Sequence, residues 1–472
     1  MSAPRTPLII ILGVLLSGCA ATAINQNNAF VDGYAKQNVG AAATWHKNNR
    51  DRAAARELAE QLLEQPLAAD DAVRLALALS PAFQIMLAEG AAQSAAATQS
   101  ARLSNPIFTF ERLTRREGGG VDVDIGRMLS VSLLELIYLP SRREVAESAQ
   151  AQVRLRGAAS VVETATNTRR AWVQAVAAQQ SLSYFEQVME AAEASAELAK
   201  RMYQVGNFSK LQRARQQVFY ADAFAQLARA KQAAMASREA LIRILGLDSA
   251  LAAKLKFPAR LPDLPAQPKP ESVVAQGAIS QRLDVKMASA ELGMLAAKYG
   301  YIRATSYVNA FHLAGIRNSE TGKPPQRGYE LELAIPLFDW GDASRNEAHA
   351  KYIVAMQRVV QIGIDAESGI REQYAAWRTA YDLSKHHRNE IVPLRKAIAD
   401  EVLLKYNGML ASVFDLLADT RAQIGSVILA IDAERDFWLA DAALQAAMLG
   451  KPMGMSMMPN AATPMNDAAA GH

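Results

Sequence analysis

One half of this chain maps onto the other at a constant offset. Subtracting 203 from each number carries Ser344, Arg345 and Glu347 onto Ser141, Arg142 and Glu144, and Tyr406 and Ser412 onto Tyr203 and Ser209. No gap is needed across that span, so chance is a poor explanation. The clearest join runs from Ile335 to Glu347 (Ile-Pro-Leu-Phe-Asp-Trp-Gly-Asp-Ala-Ser-Arg-Asn-Glu). Before it, Tyr329, Leu331, Leu333 and Ile335 alternate with Glu330, Glu332 and Ala334, the period of a half-buried strand. After it, alanine-rich charged sequence continues without proline to Pro393. Each copy therefore predicts helix, two strands, long helix, turn and helix. The period far exceeds that of a solenoid repeat, so these are two large copies, not a stack of small ones.

The lengths favour rods. At 1.5 Å per residue, Arg142–Tyr203 and Arg345–Tyr406 each span ~92 Å, while Asp71–Arg102 and Ser209–Leu245 span ~48 Å and ~55 Å. Two short helices end to end match one long one, as in a tube of parallel helices. Leu182, Phe185, Met189, Ala192, Ala196, Ala199 and Tyr203 recur in threes and fours, a seam whose small residues let helices approach closely. Asp70 or Asp71 is the candidate cap of the first helix, Pro81 bends it, and Asn105-Pro106 stops it. In the second copy a helix is expected over residues 280–303, then Arg345–Tyr406 and Ser412–Met448.

Between the helices lie strands. In the first copy Phe108 and Phe110 alternate with Thr109 and Glu111, Gly118-Gly119-Gly120 turns the chain, and a strand follows over Val121–Ile137. In the second, strands are expected near Thr305–Ile316 and Gly328–Phe338, with a polar external loop over Arg317–Arg327. One apolar and one polar face suit a barrel that is greasy outside and wet inside; a soluble antiparallel hairpin has the same alternation. If the strands sit in a membrane, four cannot close a barrel, because about eight are needed and open edges are not tolerated in lipid. Several chains must then contribute.

The duplication, the Ile335–Gly341 run and the turns Tyr203–Ser209 and Tyr406–Ser412 together resemble the TolC-like outer-membrane efflux channel family, over residues 71–449. The resemblance implies a mainly α chain with a small β part. Long coiled-coil helices would form an α-barrel, and four strands per chain would contribute to a trimeric, twelve-stranded β-barrel. It implies a homotrimer that works with a periplasmic adaptor and an inner-membrane pump. It also implies that the turns, at Gly206, Ser209, Gly408 and Ser412, are the tips that meet the adaptor. The family has glycine three residues after the tyrosine; Gly206 keeps it, whereas the second turn has Met409 there and Gly408 one earlier. Family channels narrow near this end, with aspartates facing the axis. Asp415 matches the first such position, the second falls on Ala418, and Asp419 stands one residue on. The two carboxylates are four apart, hence on one helix face, where the dipole of a helix start also favours them.

The remaining features bound the function. The 472 residues carry a formal charge of +4 without a basic tract, which gives no case for nucleic acid. No run of eighteen apolar residues occurs, and a β-barrel is compatible with that. Leu8–Leu16 is the apolar core of a signal peptide, and Leu16-Ser17-Gly18-Cys19 resembles a lipoprotein cleavage box that makes Cys19 the lipidated residue. A free thiol after an ordinary signal is the alternative. Ala20 after the cysteine favours the outer membrane by what that class implies. Expected boundaries are a signal over 1–18, a lipid-linked segment over 19–70, repeats over 71–250 and 273–450, a proline-rich linker over 251–272, and a Met-rich disordered tail over 451–472. Met453, Met455, Met457, Met458 and Met465 in that tail are soft thioethers able to hold Cu(I), or simply low-complexity sequence. No phosphate loop or catalytic acid cluster stands out, and His386-His387 point about 100° apart on a helix. No enzyme and no cofactor is expected. The leading function is the exit duct of a tripartite efflux system, with heavy-metal ions or small organic toxicants as cargo. A non-channel coiled-coil scaffold lipoprotein and the adaptor itself are the alternatives; an adaptor carries one helical hairpin rather than a duplicated plan.

Overall fold

A computed structural model describes residues 19–117, 120–271, 279–306, 310–335 and 337–450. The signal peptide, the Gly118-Gly119 turn and the Met-rich tail lie outside the described residues. The elements in order are α1 (Cys19–Val39), α2 (Asn49–Leu62), α3 (Ala69–Leu79), α4 (Pro81–Ser100), β1 (Ile107–Glu117), β2 (Gly120–Ser132), α5 (Leu133–Gln204), α6 (Lys210–Leu245) and α7 (Ser249–Lys254). The second copy supplies α8 (Leu283–Thr305), β3 (Phe311–Glu320), β4 (Gln326–Leu333), α9 (Asp342–His386), α10 (Val392–Asn407) and α11 (Val413–Met448). Among the described residues no single helix is long and apolar enough to cross a membrane.

The chain divides into two compact units, and each draws on both copies of the repeat. The first comprises residues up to 48, 82–161 and 283–364. It contains one antiparallel sheet in the order β1-β2-β3-β4, so the two hairpins join where β2 pairs with β3. The lead-in segment is not loose here. Asn27 on α1 donates to Ser94 Oγ (3.0 Å) and Gln150 Oε1 (2.6 Å), and Gln150 donates to the Ser94 carbonyl (2.7 Å). Buried amides and hydroxyls satisfied this way hold α1 in one register against α4 and α5.

The second unit comprises residues 49–81, 162–282 and 365 onward. One core gathers Leu63, Leu67, Leu75, Trp172, Leu241 and Leu245, with the Trp172 indole donating to the Leu67 carbonyl (2.8 Å). A second gathers Trp377, Tyr381, Phe437 and Leu444. The proline-rich segment is extended, as its five prolines dictate, and it is strapped down. Tyr374 OH donates to the Lys269 carbonyl, Tyr381 OH to that of Pro265, and Trp438 Nε1 to that of Pro262. Lys269 closes the strap on Asp441 (2.9 Å), which also accepts from Trp377 Nε1.

Several boundaries depart from the sequence expectations. Neither Asp70 nor Asp71 caps α3: Ala68 is the cap residue and offers no side-chain bond, and both carboxylates lie in the first turn. The strand expected over Val121–Ile137 ends at Ser132, and α5 begins at Leu133, passing through Pro140. β3 extends past Arg317 to Glu320 and β4 begins at Gln326, because backbone pairing continues to Asn318↔Gln326; the external loop shrinks to residues 321–325. The long helix of the second copy is interrupted by a π turn at His387–Ile391. Pro393 follows at once; it has no N–H to donate, and the wider turn absorbs the missing bond.

The two copies start their long helices differently, and one glycine explains it. Gly341 takes φ +66° immediately before α9. Its N–H donates to Asp339 Oδ1 (2.8 Å), and Arg345 clamps the turn through Ser306 Oγ (2.7 Å) and the Trp340 carbonyl (2.6 Å). The equivalent residue of the first copy is Tyr138, which lies inside α5. A Cβ on Gly341 would stand 2.6 Å from Ser306 Cβ and 3.1 Å from its carbonyl oxygen. Gly322 shares the positive φ (+77°) but has open space around it. Gly341→Ala is therefore expected to cost about 2 kcal/mol more than Gly322→Ala, the difference being overpacking beyond backbone strain. Thermal unfolding of the two variants in detergent measures it, and equal losses would remove the collision from the account.

Candidate functional site

The sheet sorts its side chains by chemistry. The pairing register puts Phe108, Leu129 and Tyr329 on one face, with Val131, Leu313 and Leu331 beside them. Phe108, Phe110, Leu129, Tyr329, Leu331 and Leu333 are each more than half exposed. Burying such side chains is worth roughly 25 cal/mol per Å² of apolar surface, so this face is stable only against an apolar partner. The opposite face carries Glu111, Asp122, Asp124, Glu320, Glu330 and Glu332. β1 and β4 form the sheet's two edges, so the sheet is open at both sides.

The two reversals, Val205–Ser209 and Gly408–Ser412, belong to the second unit and are one motif built twice. In the first, Gly206 has φ +82°, its N–H donates to the Tyr203 carbonyl (3.1 Å), and Asn207 N donates to the Met202 carbonyl (2.9 Å). In the second, Met409 N donates to Tyr406 (3.0 Å) and Leu410 N to Lys405 (2.8 Å), the same bonds 203 residues on. This is the paired closure of a helix that ends on a left-handed residue. Gly408 does not supply the left-handed conformation: its φ is −81°, and Met409 takes +59° instead. The repeat register settles the matter, since 409 less 203 is 206.

Each returning helix starts with a capping box. Ser209 Oγ accepts from Gln212 N, and the Gln212 side chain accepts from Ser209 N. Ser412 Oγ accepts from Asp415 N (3.2 Å), while Asp415 Oδ2 accepts from Ser412 N (2.9 Å) and from its hydroxyl (2.8 Å). The Ser412 hydroxyl, then its amide, hold the Asp415 carboxyl below the usual carboxylate range. Asp415 is thus anchored and anionic, and its counterpart Gln212 does the same capping without charge. Asp419 sits one turn on, half-buried, and its counterpart is Gln216, which is buried and accepts from Ser195 Oγ (3.1 Å). Behind the turns, Val188, Ala192 and Ala223 pack with Phe185, Met189, Phe219 and Ile424, so the predicted seam joins α5, α6 and α11. Val205, Leu211, Met409 and Leu410 are left exposed at the turns themselves.

Of the other expected site residues, Cys19 opens α1, and the methionines from Met453 to Met465 lie outside the described residues. His386 pairs with Glu390 (3.0 Å), and desolvation holds the His387 imidazole below its ordinary range. Sequence reasoning missed Met409 as the left-handed residue and Gln212 as the neutral partner of Asp415; the offset of 203 pointed to both. Left-handed backbone costs a non-glycine residue roughly 1 kcal/mol or more. Met409→Gly is therefore expected to tighten the second turn by about that amount. Slower hydrogen exchange at the Leu410 amide would register it, and unchanged exchange would mean the turn carries no strain.

No family model and no curated protein matches the sequence. Solved structures do match. A membrane protein from Pseudomonas aeruginosa aligns with a TM-score of 0.69 at 18% identity, over 80% of this chain and 93% of its own. The Campylobacter jejuni CmeC outer membrane channel aligns at 0.67 and 16%, over 87% and 89%. The outer membrane protein VceC of Vibrio cholerae aligns at 0.67 and 15%, over 81% and 96%. At these identities the likeness is one of fold, and the chain has the fold of the TolC-like outer-membrane efflux channels.

Proposed function

We propose that this chain is the outer-membrane component of a tripartite efflux system, a passive duct across the periplasm and outer membrane. The observation that carries the proposal is the sheet: four strands, open at both edges, with an exposed apolar band on one face and the carboxylates gathered on the other. Four strands are too few to close, whereas three copies make twelve and leave no edge in lipid. In that homotrimer the apolar face meets lipid and the acidic residues of the other face line water. An acidic lining favours cationic cargo, which covers both heavy-metal ions and small organic cations.

The tips serve as the docking end for a periplasmic adaptor, which in turn engages an inner-membrane pump. Exposed Val205, Leu211, Met409 and Leu410 give that end an apolar surface on rigid capped turns. Cys19 is the lipidated first residue of the mature chain, with α1 fastening the anchor through the Asn27–Ser94–Gln150 bonds. Mass spectrometry of the mature amino terminus is expected to find an acylated Cys19; a free thiol in membrane-extracted protein overturns the anchor.

The gate at the tip end is set by Asp415 of each subunit, with Asp419 contributing less. Gln212 caps the matching helix without charge, so Asp415→Gln removes the charge and keeps the cap. In planar-bilayer recordings of the purified trimer, Asp415→Gln is expected to reduce cation selectivity and weaken block by multivalent cations several-fold. Asp419→Asn is expected to do less. Unchanged selectivity and block in Asp415→Gln would leave Asp415 as a helix-start residue alone. A monomer by light scattering under mild extraction would overturn the channel itself.

A further inference from the structure

The apolar face of the sheet carries a feature that neither the strand alternation nor the channel proposal uses. Arg127 on β2 stands directly opposite Arg317 on β3, and Arg317 stands directly opposite Arg327 on β4. The three form a straight row across neighbouring strands. Arg112 and Arg116 of β1 lie on the same face, nearer the turns. Among the described side chains no acidic residue of the four strands shares that face: Glu111, Asp122, Asp124, Glu320, Glu330 and Glu332 all point the other way. Among the described residues none of these five guanidinium groups has a hydrogen-bond or ion-pair partner.

Directly opposed residues on paired strands have Cβ atoms about 5 Å apart, and like charges there are mutually destabilising. Two consecutive like-charged pairs with no internal counter-charge call for an anion from outside. The row's place in the sheet says which anion. It comes one residue pair beyond the apolar band of Leu129, Gly315 and Tyr329, on the side of the 321–325 turn. From Arg327 to Leu333 the strand runs ~20 Å, all of it apolar on this face after the arginine. Arginine on a lipid-facing strand is tolerated at the membrane surface and costly at mid-depth. Guanidinium is also the group that grips phosphate bidentately.

We propose that the Arg127–Arg317–Arg327 row is a binding site for the phosphate groups of lipids in the leaflet on the turn side, with their acyl chains lying along the apolar band below. A free phosphate ion would gain nothing from that band, so the occupant is a lipid and not a soluble anion. This inference rests on the sheet being a membrane barrel. It makes the row a device that converts repulsion between strands into attachment to a phosphate-rich membrane surface.

The test uses the full-length protein reconstituted in bilayers of a neutral, phosphate-free glycolipid (digalactosyldiacylglycerol), with or without a bis-phosphorylated glycolipid (lipid A), its dephosphorylated form, or inorganic phosphate in solution. Wild type is expected to raise its melting temperature and retain glycolipid in native mass spectrometry only with the phosphorylated form. The triple variant Arg127→Gln, Arg317→Gln, Arg327→Gln is expected to retain at least tenfold less. In the phosphate-free bilayer it is expected to melt no lower than wild type, because repulsion has been removed. Equal retention by variant and wild type, or stabilisation of wild type by inorganic phosphate as strong as by the lipid, would overturn the proposal while leaving the barrel intact. Failure of wild type to insert into any bilayer would overturn both.

Discussion

The backbone ladder between β2 and β3 is the constraint on which the rest depends. It runs from Asp124↔Glu320 to Ser132↔His312 and joins two hairpins that are far apart in sequence. Without it there are two separate hairpins, each too small to hold a face in register. With it, one register assigns every strand residue of both copies to one of two faces. A slip by one residue would move the acidic residues onto the apolar side and the apolar residues onto the acidic side. The exposure of Phe108, Leu129 and Tyr329 and the clustering of carboxylates opposite them both follow from that single alignment.

The same ladder carries the duplication into the architecture. Each compact unit takes equivalent pieces from both copies, so the repeats lie in partnership instead of forming separate bodies. Duplicated elements then diverge where their surroundings differ. The turn after the first long helix uses Gly206 at its left-handed position and Gln212 in its capping box; the second uses Met409 and Asp415. The paired closing bonds and the reciprocal cap recur in both. Backbone geometry has been kept while charge and apolar surface have changed, which leaves the side chains of the second turn available for a task the cap does not need.

Much of this was legible in the residues alone. Period two in Tyr329–Ile335 marked a strand, and the lack of proline from Arg345 to Pro393 marked a long helix. The spacing of Phe185, Met189 and Ala192 marked the seam that packs behind the tips. Less was legible at the ends of elements, where local rules compete. Leu133 to Ile137 read as the end of a strand, yet they form the start of α5. The polar residues Arg317–Arg327 read as a loop, yet strand pairing claims most of them. Polar side chains at the end of a hairpin carry no signal that separates strand from loop.

What the sequence by itself determined is the plan: the duplication, the element types, the tips and the alternation of the strands, all of which depend on neighbours close along the chain. What only the tertiary structure decided is which residues share a face and which positions are equivalent in three dimensions. Arg127 lies 190 and 200 residues from Arg317 and Arg327, and nothing local links it to them. They become one row only because hydrogen bonds between strands fix a register, and register is a property of pairs of strands, not of any single one.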